Sequence, residues 1–363
     1  MTSQRKHRTF TFYILIIVLL ACNTKSDEPR LEETDYTDLL TNQIDNVIIP
    51  SMIYYQSEMD DLLVQVELFI GTINQNSLTA LREAYKKAYV AYQAAAVHNY
   101  YATLNKNLVN TTNLYPVDID ALDSFIENES YNFNTTSQER ANGFPALDYL
   151  LYGQNDMIIY YNNDPKRGTF IVELIKAMKF TSDGLVEQWT GNLRDNFIGN
   201  GGTEIGSSIS VQLNDVLLYY EENIRENKVG IPIGRLGPND SPITADPAKI
   251  EGYYQSLNDD NDEFALLLVK EAVKEIEDIY LGKTFNGQDY KGYDDLLLAR
   301  EQSSIDTDIK DQFEAIYYQI ENRTSISGNT DLYDAVQGLV TLFKSDLFPV
   351  LNIQDADGAN DGD

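Results

Sequence analysis

Apolar residues recur at helical spacing along nearly the whole of this chain, and that period constrains the fold more than any other feature. The clearest case is Leu78, Leu81, Ala84, Tyr85, Ala88, Tyr89 and Tyr92, an i, i+3, i+4, i+7 stripe along one face of a helix, with Ser77 read as its cap. The same period runs from Tyr36 to Phe69, interrupted at Pro50, which lacks the N–H a helix interior needs. Asp164-Pro165 and Asp246-Pro247 are N-cap-plus-first-turn pairs. The first is expected to open a helix through Ile171, Ile175 and Met178 toward Trp189, the second one through Ile250, Tyr253 and Tyr254. Asn261 to Tyr280 predicts a further helix closing at Gly282, and residues 303–323 and 330–346 predict a last pair. Strand-like alternation is confined to a short run from Val229 to Gly234. The expected class is all-α.

Long Gly/Asn-rich and Gly/Pro-rich loops at 191–206 and 230–247 divide the helices. We expect helical bundles over 35–200 and 201–351, followed by an acidic tail over 352–363. Ala146-Leu-Asp-Tyr-Leu-Leu-Tyr-Gly153 and Ile276-Glu-Asp-Ile-Tyr-Leu-Gly282 close one helix in each half on a similar phrase. That fits an old duplication and fits equally well the common grammar of an amphipathic helix ending in Gly.

The first 21 residues read as a leader. Arg5, Lys6, His7 and Arg8 precede the apolar run Phe10–Leu20, which is shorter than the roughly 20 residues a membrane span requires. It ends Leu19-Leu20-Ala21-Cys22, the pattern of a bacterial lipobox, so Cys22 is the expected lipidation site and residues 22–34 a polar tether. The implied place is the cell envelope, on the periplasmic face or outer surface of the outer membrane, held through the lipid. The chain carries 57 acidic and 27 basic residues, a net charge of −30. Losing the leader removes three basic and no acidic residues and takes the charge to −33. Such a balance excludes nucleic acid as a partner, because phosphate backbones select basic patches. The lone Cys excludes disulfides and thiolate metal sites, and His98 is the one histidine outside the leader.

The most distinctive stretch is Asn142-Gly143-Phe-Pro145-Ala-Leu-Asp148-Tyr-Leu-Leu-Tyr-Gly153. Gly143 permits a close backbone approach, and Pro145 belongs in a first turn. Asp148 then falls one turn in, where spacing alone leaves both a solvent-facing and a cleft-facing reading open. This segment resembles the signature of the imelysin family, Gly-x-His-x-x-Glu followed by Tyr-Leu-Leu-x-Gly. Leu114-Tyr115-Pro116-Val117-Asp118-Ile119-Asp120 is similar to the family's Asn-x-Trp-Pro-x-Asp…Ile-Asp stretch. Lys249-Ile250-Glu251-Gly252-Tyr253-Tyr254 resembles its Val-Glu-x-x-Tyr/Phe-Ser phrase, and Ile279-Tyr280-Leu281-Gly282 its Tyr-x-Gly ending. The tail Asp355-Ala-Asp-Gly-Ala-Asn-Asp-Gly-Asp363 is similar to the Asp-Gly-Asp ending of imelysin-like lipoproteins from Bacteroidetes.

The resemblance implies two helical-bundle-like halves packed together with a cleft near Gly143 and Asp148, lined by Tyr115, Asp118, Glu251 and Tyr254. It also implies one of two associations carried by the family: a proteolytic activity, or iron uptake with an iron- or haem-uptake partner protein. The departures matter. The signature His falls on Pro145 and its Glu on Asp148, so the motif is degenerate here. A His and a carboxylate three residues apart can grip a cation together; a proline ligates nothing.

The residues test the peptidase idea separately. Catalytic zinc needs three protein ligands, usually including His, and a serine mechanism needs a base beside a positioned Ser. The chain offers no His-Glu-x-x-His and no Gly-x-Ser-x-Gly, and His98 reads as a packed or capping histidine. Oxygen-rich binding of iron or another hard cation stays open, since 25 Tyr accompany the acids. The expected function is therefore a non-catalytic envelope lipoprotein that binds a ligand or partner in iron uptake. The alternatives are an imelysin-type metallopeptidase and a carbohydrate-binding lipoprotein.

Overall fold

A computed structural model describes residues 35–98, 108–133, 140–236, 241–284 and 286–355. The leader, Cys22, the tether and the tail from residue 356 lie outside the described residues. Among those residues, no helix is long and apolar enough to cross a membrane.

Pro50 does not break its helix. The chain passes from an α-helix over Thr37–Asn42 through a π-helical segment, Gln43–Ile48, into the long α-helix Ile49–Gly71. Pro50 thus occupies the first turn of that last element, and the wider π turn before it gives room for a ring that would crowd a regular helix. The helix carrying the tyrosine stripe spans Gln75–Ala96 and is capped by Asn74 rather than Ser77. The Asn74 side chain accepts the N–H groups of Asn76 and Ser77 at 2.9 and 3.1 Å, while Ser77 Oγ accepts the Asn74 N–H at 3.2 Å. This is a reciprocal capping box with Ser77 as its third helical residue.

All seven stripe residues are buried. Their helix packs against Ile49–Gly71 and against the helix Glu263–Leu281. The helix Pro165–Thr190, opened as expected by Asp164, lies along Ile49–Gly71, and Ser303–Glu321 pairs with Thr330–Leu342. Glu263–Leu281 stops at Gly282 in the left-handed region, as predicted.

Elements from either side of residue 200 interlock through buried amides. Asn42 Nδ2 donates to the carbonyls of Gly282 at 2.9 Å and Lys291 at 3.0 Å. Gln43 Nε2 donates to Ile279 O at 2.8 Å, and Gln212 Nε2 to Gln43 Oε1 at 3.0 Å.

The loop expected over 191–206 is not irregular throughout, because it carries the helix Asn192–Gly199, and two further expectations need correction. Val229–Gly234 is not a strand: a π-helix over Tyr220–Gly230 leads into one helical turn, Ile231–Ile233. The strands among the described residues are the two-residue pair Arg235–Leu236 and Ser241–Pro242, joined antiparallel. The apolar run is too short to decide its own period, and its burial against helices prevails. Asp246-Pro247 opens only a 3₁₀ turn, Pro247–Lys249. Ile250 is then extended and Gly252 has φ +67°, so a new helix starts at Tyr253 and runs to Asp259. That break proves central to the site.

Asn42→Ala should therefore lower the free energy of unfolding by about 2 kcal/mol, because it removes both amide bonds at once and leaves the Gly282 carbonyl with only the longer bond from the Tyr290 N–H at 3.4 Å. Asn46→Ala, which removes one partly buried side-chain bond to Asn42, should cost under ~0.5 kcal/mol. Urea denaturation of both variants checks this, and equal losses would refute it.

Candidate functional site

The site begins with a backbone contact. Gly143 has φ +70°, and a Cβ there would lie 1.9 Å from the carbonyl oxygen of Thr112. Only glycine allows that approach. Asn142 caps the helix that follows, Gly143–Tyr152, by accepting the Gly143 N–H at 2.7 Å. Pro145 sits in the first turn, where its missing N–H leaves no gap in the ladder. Every residue from Gly143 to Leu151 is buried, Asp148 among them. The solvent-facing reading of Asp148 is thereby excluded.

Asp148 is committed to backbone. Its Oδ2 accepts the Tyr254 N–H at 2.7 Å and its Oδ1 the Gln255 N–H at 3.1 Å. Those donors belong to the first turn of Tyr253–Asp259, where a helix has no internal acceptors for them. The break at Gly252, where a Cβ would meet the Phe264 ring at 2.8 Å, aims that turn at Asp148. Burial pushes the Asp148 carboxyl up to about 7, against the two backbone bonds that favour its ionised form.

Glu251, one residue before that break, is 3% exposed. Its Oε1 accepts both Asn113 Nδ2 and Lys228 Nζ at 2.5 Å. Lys228, itself 2% exposed, also donates to Gln93 Oε1 at 2.8 Å, and the Tyr89 hydroxyl donates to Asn113 Oδ1 at 2.5 Å. Burial pulls the Lys228 ammonium down, opposed by Glu251. Glu251 Oε2 and the Tyr115 hydroxyl are buried with no hydrogen-bond partner among the described residues. Both residues line a cavity of about 70 Å³ together with Tyr89, Pro145, Asp148 and Tyr254. Tyr254 forms part of its aromatic wall, edge-on to Tyr149 at 5.2 Å.

Of the residues expected to line the cleft, Tyr115, Glu251 and Tyr254 do meet there, together with Asp148 and Pro145 of the degenerate motif. Asp118 does not. It is exposed and caps the helix Ile119–Asn128 by accepting the Ala121 N–H at 3.0 Å; its neighbour Val117 lines the cavity instead. Asn113, Lys228, Gln93 and Tyr89 were not singled out by sequence reasoning. Asn113 had a signal, standing two residues before Tyr115-Pro116 where the family phrase begins with Asn. Tyr89 was indistinguishable from the core stripe, and nothing in the sequence marks Lys228 among 27 basic residues.

His98 is packed. It is fully buried, with Nε2 2.6 Å from Glu275 Oε1, which also accepts the Ser51 hydroxyl at 2.9 Å. The serine thus bonds to the acid rather than to the imidazole, which is not a nucleophile–base pair. Among the described residues no three or more His, Cys, Asp or Glu side chains come together to hold a metal ion.

Residues 50–342 match the family model for imelysin. The chain belongs to the imelysin family. No curated protein matches it. Among solved structures it is similar to one designated an iron-regulated protein A precursor, from Parabacteroides distasonis: TM-score 0.69, 12% identity, covering 89% of this chain and 97% of that one. It is also similar to an imelysin-like protein from Psychrobacter arcticum: TM-score 0.65, 14% identity, covering 90% and 98% of the two chains. The all-α imelysin fold expected from the periodicity and the phrases is thus borne out. This imelysin keeps the glycine of the signature and its helix, while the acid three residues after Pro145 serves as a helix cap.

The buried carboxyl has a sign that can be measured. With a native value near 7 against an ordinary 3.8, the folded state binds more protons than the unfolded state between those limits. The contribution of Asp148 to stability therefore falls as pH rises through that window and is constant above it. The stability difference between wild type and Asp148→Asn should shrink or turn against wild type from pH 4 to 7 by ~2 kcal/mol or more. Denaturation across that range tests this; a pH-independent difference would contradict it.

Proposed function

We propose that this imelysin is a non-catalytic, lipid-anchored binding protein of the cell envelope that takes part in iron uptake, with the Glu251–Tyr115 cavity as its ligand site. One observation carries the reading. A buried carboxylate oxygen and a buried phenol stand unpaired in one cavity, and a ligand that supplies hydrogen bonds to both would relieve a cost of about 1–3 kcal/mol for each. Support for iron comes from the family and from the iron-regulated designation of the Parabacteroides relative. Support for the anchor comes from the lipobox-like Leu19-Leu20-Ala21-Cys22.

The donor set favours iron held in an organic chelate over the bare ion. Both Asp148 oxygens accept backbone N–H groups, and Glu251 is neutralised by Lys228 at 2.5 Å. Neither carboxylate is available as a charged ligand in the way ferric iron demands. A cavity of about 70 Å³ takes a hydroxyl-bearing edge of such a chelate, with the remainder outside. The aromatic wall formed by Tyr89, Tyr115 and Tyr254 suits a flat ligand group.

Isothermal titration with ferric chloride, haem and a ferric siderophore separates these cases. We expect a chelate to bind and Glu251→Gln to weaken it about tenfold, one charge-assisted hydrogen bond. Failure of all three ligands to bind would remove the iron reading. Purified protein should also leave an unfolded protein substrate uncleaved with and without added zinc; chelator-sensitive cleavage would restore the peptidase. Cys22→Ala should release the protein from the membrane fraction, and an unchanged distribution would refute lipid anchoring.

A further inference from the structure

The segment that carries Glu251 borders a second and larger cavity, which the proposed function does not use. Ile250 and Tyr253 line both. The second cavity, of about 320 Å³, is walled by Pro232, Tyr253 and Leu257 on its apolar side and by Ser256, Asp260 and Asp262 on its polar side. We propose that it is a binding site for a small aliphatic amine, such as a diamine.

Ser256 makes this more than an acidic surface. The residue is 5% exposed, lines the cavity, and its hydroxyl is buried with no hydrogen-bond partner among the described residues. A buried hydroxyl left unpaired costs free energy, and an ammonium N–H donating to it would recover that cost. The two aspartates supply acceptors. Asp262 is fixed by its own N–H donating to Thr324 O at 3.1 Å and by Oδ2 accepting the Ser325 hydroxyl at 2.6 Å, which leaves Oδ1 for a ligand. Asp260 stands at φ +55°, just past the end of the Tyr253–Asp259 helix, and its carboxylate has no partner among the described residues.

Charge and shape choose the ligand class. Among the described residues no Lys or Arg lines the cavity, so its two carboxylates are uncompensated there, and opposite charge about 4 Å away gains several-fold more at a protein surface than in bulk water. That favours a cation over a neutral saccharide. Among the described residues the carboxylates do not converge with a third acid to hold a metal ion. Leu257, 62% exposed, and the Tyr253 ring offer a carbon surface that a methylene chain covers and a bare ion does not.

Titration calorimetry on the full-length protein with putrescine, glucose and calcium chloride tests the site. Putrescine should bind. Asp260→Asn, tolerated because Asn readily adopts positive φ, should weaken it about tenfold by removing one charge. Ser256→Ala should weaken it about threefold while leaving the thermal midpoint unchanged or raised, since an orphaned hydroxyl is lost. Absence of putrescine binding, binding that survives both substitutions unchanged, or tighter binding of glucose or calcium would each overturn the proposal.

Discussion

One buried carboxylate organises the site. Asp148 reaches from the Gly143–Tyr152 helix to the first turn of a helix 106 residues later and takes its two free N–H groups. A helix of seven residues, Tyr253–Asp259, cannot hold itself by internal bonds alone, because nucleation is unfavourable and its terminal donors are unsatisfied. Asp148 supplies what the short helix lacks. It thereby fixes the irregular stretch before it, Ile250 to Gly252, and with that stretch the position of Glu251. Both cavities are bordered by residues of this one segment.

The polar centre beside the clamp is nearly neutral although the chain carries −30. Glu251 and Lys228 are both buried and paired, and Asn113 and Gln93 take up the remaining contacts on that side. Buried pairs of this kind contribute little net stability, since desolvation offsets attraction, but losing either partner leaves a charge uncompensated. They are therefore better understood as fixing an arrangement than as strengthening the fold. What they fix is a carboxylate with one oxygen bonded and the other buried without a partner among the described residues, beside a cavity lined by tyrosines.

The helical layers were legible from period alone, because the stripe from Leu78 to Tyr92 is one unbroken face with a single possible reading. Detail failed where two signals competed. Asn74 outranked Ser77 as a cap because the two act as one box, a relation visible only when both side chains are placed. At Pro50 the sequence carried a true irregularity, but the chain answers it with a π turn rather than a break. The site was legible where a phrase held the residue: Tyr115, Asp148, Glu251 and Tyr254 each belong to one. Lys228 lies in a π-helical stretch of mixed charge, Tyr220–Gly230, and nothing in the local sequence distinguishes it from the charged residues around it. Asp118 failed in the opposite sense. It stands in a phrase, yet its side chain faces its own helix, since a cap is the nearest use for an acid ahead of Ile119.

The degenerate signature follows from separate physical demands on its positions. Gly143 answers to the Thr112 carbonyl at 1.9 Å from any added Cβ, a constraint that no ligand chemistry enters. The third residue of the signature lies in a first turn that asks for no backbone donor, so proline satisfies the helix there as well as histidine does. The acid answers to two N–H groups across the chain, a task for any carboxylate of the right reach. Cation binding would require the third and sixth positions to cooperate, whereas the fold requires only the first and the sixth. Pro145 at the third position therefore leaves the architecture intact, so the backbone keeps the family's form without asking anything of the side chain there.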